Sequence, residues 1–168
     1  TRFDVAHSRF NQIDRGQFEA AGLHVLAESE AAGVHLAVSE DLFRIVFFQG
    51  HPEYDINSLL KEYKREVLLF IKGARPDYPP FPENYFSLKS QAILEEFMQR
   101  LMTAKSRGET PPDLPETLIG RSLDNTWHDT AEAVINNWVG KVYQLTSNDR
   151  KQPFQDGIDP HDPLGLRR

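Results

Sequence analysis

Cysteine is missing from this sequence altogether. Its absence removes disulfides, thiolate metal sites and any cysteine nucleophile carried by these 168 residues. Positive charge is in deficit as well. The 19 Lys and Arg against 25 Asp and Glu leave a net charge of -6, so there is no electrostatic footprint for nucleic acid. No apolar run approaches the roughly 20 residues that span a bilayer, and the opening Thr1-Arg2-Phe3-Asp4 does not read as a signal peptide. No membrane partner and a cytoplasmic address are therefore the expectations. Metal-ligand spacing is lacking too: His24 and His35 stand without a third ligand, and no metal is expected. Asp156, Asp159, His161 and Asp162 form a loose acidic group without the ordered spacing of a calcium loop. Internal repeats and low-complexity tracts are likewise absent.

What is present suits a globular chain: 39% hydrophobic and 26% charged residues, at a length that one domain can fill. Arg2 to Ala6, with Phe3 and Val5 alternating with charge, reads as an edge-like strand. Asp14 is placed to cap a short helix through Ala21 that closes at Gly22. Leu23 to Ala27, Val34 to Val38 and Phe43 to Phe48 are strand candidates separated by turn-like Glu30 to Gly33 and Ser39 to Asp41. Asp55 can cap a helix running to about Lys72, with Ile56, Leu59, Leu60, Tyr63, Val67, Phe70 and Ile71 on one stripe. A proline crossing follows from Pro76 to Pro82, interleaved with aromatics, which argues for packing along a surface. Leu88 to Lys105 and about Trp127 to Tyr143 are further amphipathic helices, with Thr110 to Pro115 a loop between them. Beyond Thr146 the composition turns polar and proline-rich, so 151–168 reads as a weakly ordered tail.

The chain is organised around Phe47-Phe48-Gln49-Gly50-His51-Pro52-Glu53-Tyr54-Asp55. The apolar run before Gly50 has the pattern of a parallel strand covered on both faces, and ligands bind beyond the carboxyl ends of such strands. Pro52 stiffens the turn. From it, Glu53 can accept a hydrogen bond from one ring nitrogen of His51 and leave the other free to take a proton. By themselves, a histidine at a strand end is more often structural, and a carboxylate near a helix start suits the helix dipole. Arg65 shares a helix face with Ser58 and Glu62, the ordinary setting of a solvated ion pair.

Gly50-His51-Pro52-Glu53 resembles the His-Pro-Glu end of the Cys-His-Glu triad in class I glutamine amidotransferases. The continuation from His51 through Tyr54-Asp55-Ile56-Asn57-Ser58 to Glu66 is more specific. It resembles the homoserine O-succinyltransferase and O-acetyltransferase family of methionine biosynthesis, which shares that fold and triad. His7-Ser8-Arg9-Phe10, Leu26 to Ser29, Tyr78 to Phe86 and Asn137-Trp138 with Val142 to Thr146 match family segments in family order.

The resemblance implies an α/β chain forming the C-terminal half of a flavodoxin-like, class I glutamine amidotransferase-like three-layer fold. Residues 1–150 would then be the C-terminal part of an acyltransferase domain, with 151–168 its tail. It implies His51 as general base, Glu53 as its orienter, and Ser8 and Arg65 as substrate-binding residues, Arg65 holding the α-carboxylate of homoserine by a bidentate bond. His7 and Arg9 are neighbours for which a structural role is at least as open. The implied co-substrate is acyl-CoA, succinyl or acetyl, with no bound cofactor. The implied partners are a preceding half carrying the cysteine and a second copy in a homodimer, and without that cysteine this stretch alone is expected to be inactive. A glutaminase and a non-catalytic amino-acid-binding remnant are the alternatives.

Overall fold

The computed structural model describes residues 2–167. Its elements run α1 (Arg15–Ala20), β1 (His24–Ser29), β2 (Gly33–Val38), β3 (Val46–Phe48), α2 (Ser58–Ile71), α3 (Leu88–Arg107), α4 (Glu116–Gly120) and α5 (His128–Leu145). They fall into two compact units. One takes the chain up to Glu53 and again from Thr126, and the other is the continuous stretch Tyr54–Asn125.

The first unit is built on a mixed α and β arrangement with a three-stranded antiparallel sheet in the order β1-β2-β3. Gly33 at φ +67° turns the chain from β1 into β2, a conformation that costs a residue with a Cβ. β2 is central and most buried, and Phe18 of α1 packs on its Val34 and Ala37. A carboxylate shapes the approach to β3. Oδ1 of Asp41 accepts from the Ser39 hydroxyl at 2.6 Å and from the backbone N–H groups of Phe43 and Arg44, both at 3.1 Å, and Oδ2 pairs with the Arg44 guanidinium. Those two N–H groups are spent on a turn, so the strand expected from Phe43 begins only at Val46. β3 is also partly exposed and pairs antiparallel with β2, not as a parallel strand buried on both faces. No strand forms over Arg2 to Ala6 either: the segment meets the sheet region through a bond from the His51 N–H to the Ala6 carbonyl at 2.7 Å and through the Phe3 ring on His35 of β2. α5 carries no fully buried residue, although Trp138 donates its indole N–H to the Phe43 carbonyl at 3.0 Å. Residues 151–167 hold turns only, and Phe154, 6% exposed, packs on Phe43 with ring centroids 6.0 Å apart.

The second unit is helical. Leu60, Tyr63, Val67 and Phe70 of α2 meet Leu94, Phe97 and Leu101 of α3, with Phe86 and Ile119 completing the core. Each such side chain contributes about 1.5–3 kcal/mol when fully buried. The proline crossing is seated on this core through Tyr78 and Phe81, whose rings meet Tyr63. Asp55 does not cap α2 as expected. It takes the Asn57 N–H at 2.8 Å and the Ser58 hydroxyl at 3.0 Å, an Asx turn that delays the helix to Ser58. α3 starts on Ser87, whose hydroxyl accepts the Ser90 N–H at 3.2 Å, and stops at Gly108 at φ +67°. α4 lies just beyond the stretch expected as a loop.

Candidate functional site

His51 sits where the chain leaves β3, 30% exposed at its side chain, and three oxygens hold it. Its backbone N–H donates to Ala6 at 2.7 Å. Nδ1 lies 2.8 Å from Oε1 of Glu53, and Nε2 lies 2.9 Å from the carbonyl oxygen of Ser8. The expectation of one free ring nitrogen therefore needs correction. With Glu53 ionised, Nδ1 is the donor, and only a second N–H at Nε2 makes a bond to the Ser8 carbonyl. To receive a proton at Nε2 the ring has to leave that carbonyl. An imidazole oriented by a carboxylate has the parts of a general base once its Nε2 is released from that carbonyl.

Gly50 permits the close approach that this requires. A Cβ there would lie 2.7 Å from Nδ1 of His35, 3.0 Å from the Ala6 carbonyl and 3.1 Å from Cε1 of His7. His35 is buried against Gly50 with Phe3, His7 and Phe48 around its ring. Its pKa is lowered by burial, so it stays uncharged beside the site. Gln49 supplies a clamp that sequence reasoning missed. Its amide accepts from the Ile13 N–H at 2.8 Å and donates to the Ile13 and Val34 carbonyls at 2.8 and 3.0 Å. That ties the irregular segment before α1 to both β2 and the end of β3. A polar residue between an apolar strand and a glycine was the available signal.

Of the four sequence-predicted residues, the structure brings together His51, Glu53 and the backbone of Ser8. The Ser8 hydroxyl itself makes no hydrogen bond among the described residues. Arg65 belongs to the second unit, on α2, with its side chain 56% exposed and its Nε 3.3 Å from Glu66. Among the described residues Arg65 pairs with Glu66 and not with Glu62, which accepts from the Tyr54 hydroxyl at 2.8 Å. Among the described residues no three His, Asp or Glu side chains are grouped to hold a metal ion, and no helix is long and apolar enough to cross a membrane.

A histidine anchored by a carboxylate two residues on, at the exit of a strand, is an arrangement that suits acid–base or nucleophilic chemistry. Comparison with known proteins narrows this. The family model described as homoserine O-succinyltransferase matches residues 1–148. Homoserine O-succinyltransferase of Nitrosococcus oceani is 70% identical over 168 residues, all of this chain and 47% of the relative. The protein of the same name from Allochromatium vinosum is 66% identical over 99% of this chain and 46% of its own length, and that of Cardiobacterium hominis 46% identical over the whole chain. This chain belongs to the homoserine O-succinyltransferase family. It spans about half the length of the curated relatives it matches.

Proposed function

We propose that this chain is the base-bearing half of an enzyme that moves a succinyl group from succinyl-CoA to the hydroxyl of L-homoserine, in methionine biosynthesis. The observation that carries the reading is the His51–Glu53 pair, at 2.8 Å, within a chain of this family. The fold of the whole enzyme would be the flavodoxin-like, amidotransferase-like three-layer one, assembled with a preceding half, in a homodimer located in the cytoplasm.

In the proposed route a cysteine of the preceding half loses its proton to His51 and attacks the succinyl thioester carbonyl. The C–S bond to coenzyme A breaks, and the departing thiolate takes the proton from His51. Homoserine then attacks the enzyme thioester through its hydroxyl, whose proton passes to Nε2 of His51 as the new ester bond forms. The cysteine leaves as thiolate. Glu53 holds the ring and stabilises the imidazolium at each turn, and Arg65 binds the α-carboxylate of homoserine. Acetyl-CoA is the other donor to assay.

The test uses the full-length enzyme and follows coenzyme A release with O-succinylhomoserine formation. His51→Ala is expected to abolish transfer, and substantial retained turnover overturns the assignment. Ammonia release from glutamine by the native enzyme, without acyl transfer, would favour the amidotransferase alternative instead.

A further inference from the structure

The segment that touches His51 carries a second imidazole, which the route above does not use. Arg9 donates through Nη1 to Nδ1 of His7. A guanidinium stays protonated in proteins and offers no lone pair, so Nδ1 is the acceptor and the single proton of a neutral His7 sits on Nε2. Arg9 is itself braced by the Ala32 carbonyl and by Gln12 at 3.1 Å, and Gln12 is held by Asp14 at 2.8 Å. The tautomer is therefore set by a fixed cation. Nε2 of His7 makes no hydrogen bond among the described residues, yet it is not a sealed atom: those are His35 Nδ1 and Asn125 Oδ1. An N–H of fixed direction remains open to a ligand one residue from Ser8.

The surroundings keep this ring uncharged. Partial burial first, then Arg9 on its own segment, His35 on β2 with ring centroids 5.7 Å away, and His51 beyond β3 bring its pKa down to about 4. A neutral imidazole donor backed by a guanidinium suits an anionic oxygen, which it binds without acting as a competing acid. If holding Arg9 were the whole purpose of His7, Nδ1 would be the only atom that mattered.

We propose that the Nε2–H of His7 is a substrate-contacting donor for a carboxylate brought to His51. That carboxylate is either the α-carboxylate of the amino-acid acceptor or the free carboxylate of the succinyl group. The assignment rests on the transferase reading. Asparagine and glutamine separate the two ends of the ring. Asn places an oxygen near the position of Nδ1 and keeps the Arg9 contact, whereas Gln places an NH₂ near the position of Nε2.

In the full-length enzyme, His7→Asn is expected to lower kcat/KM about tenfold to a hundredfold, the usual worth of a hydrogen bond to a charged group. His7→Gln is expected to stay within about threefold. The reverse order, or two variants equal to the native enzyme, overturns the proposal. A rise in KM for homoserine assigns the acceptor carboxylate, and a rise in KM for succinyl-CoA assigns the succinyl carboxylate.

Arg9→Met gives a second readout that does not depend on His7 variants folding. Without the cation the His7 tautomer is no longer fixed, but protonation places a proton on Nε2 regardless. The ratio of Arg9→Met to native kcat/KM is therefore expected to rise severalfold as pH falls from about 8 to about 6, near the ordinary imidazole pKa. A purely structural Arg9 gives a flat ratio, and a flat ratio overturns the proposal. Native full-length protein that releases no coenzyme A from succinyl-CoA with homoserine defeats the transferase reading itself, and this assignment with it.

Discussion

The carboxyl group of Asp41 serves four donors within one loop, and burial alone would raise its pKa. The hydrogen bonds from Ser39, from Arg44 and from the Phe43 and Arg44 backbone outweigh that, and the pKa lies well below the usual carboxylate range. A depressed folded-state pKa means stability that is fully present above the unfolded value of about 4 and is lost as pH falls through the folded one. Asp41→Ala leaves buried donors unpaired and is expected to cost about 2–4 kcal/mol by urea denaturation at neutral pH, a cost that shrinks only as pH falls below about 4 toward the depressed folded-state value. A neutral-pH loss under about 0.5 kcal/mol would show that the loop re-pairs its N–H groups. His7 has the same sign by a different route. The unfolded chain takes up a proton near the ordinary value of 6.5 while the folded ring holds out to about 4, so stability rises with pH across that window. In the native protein His35 adds in the same direction. His7→Gln should flatten part of this slope in a series of melts from pH 4 to 7, and an unchanged slope would count against burial of a neutral His7.

At the scale of elements, Gly50 is the joint between β3 and the site. Gly50→Ala puts a methyl 2.7 Å from His35 Nδ1 and 3.0 Å from the Ala6 carbonyl, and the latter is backbone that cannot rotate away. The bond from His51 to Ala6 then has to lengthen, and turnover of the full-length enzyme is expected to drop at least tenfold with only a few degrees lost in Tm. Equal activity would mean that the joint has slack. The start of α3 gives a simpler case. Ser87→Ala removes its cap and should cost about 1 kcal/mol in the second unit's unfolding. The helices α2 and α3 were legible from the sequence because long apolar stripes at a period of 3.6 dominate any local preference. The strands were legible as strands, and β1 and β2 nearly in extent, but not the start of β3 or its pairing antiparallel to β2 at a partly exposed position. Asp41 competes for the N–H groups at the start of β3 through side-chain bonds that no periodicity records. Arg2 to Ala6 reads in sequence as an edge-like strand and Ser8 stands out only by resemblance, whereas in the structure the carbonyl oxygens of Ala6 and Ser8 face His51. Those are backbone contacts, and a side-chain reading does not see them. The pairing of His51 with Glu53 was legible because two residues across a proline turn have few ways to meet.

For the whole molecule, the division into units sets what can fold alone. The core of Tyr54–Asn125 draws on Leu60, Tyr63, Val67, Leu94, Phe97, Leu101 and Ile119, all within that stretch. Expressed by itself, this stretch is expected to show a helical circular dichroism spectrum and a cooperative melt. A featureless, gradual loss of signal would mean that its core is insufficient. The first unit has the opposite property, because it is closed by α5, about seventy residues after Glu53. A ribosome adding roughly 5–20 residues per second needs several seconds to cover that gap. Through that interval the nascent sheet stands without Trp138 on the Phe43 carbonyl and without Phe154 on the Phe43 ring. The strand that leads to His51 thus emerges well before the elements that enclose it, and through that interval it stands open to chaperones and proteases.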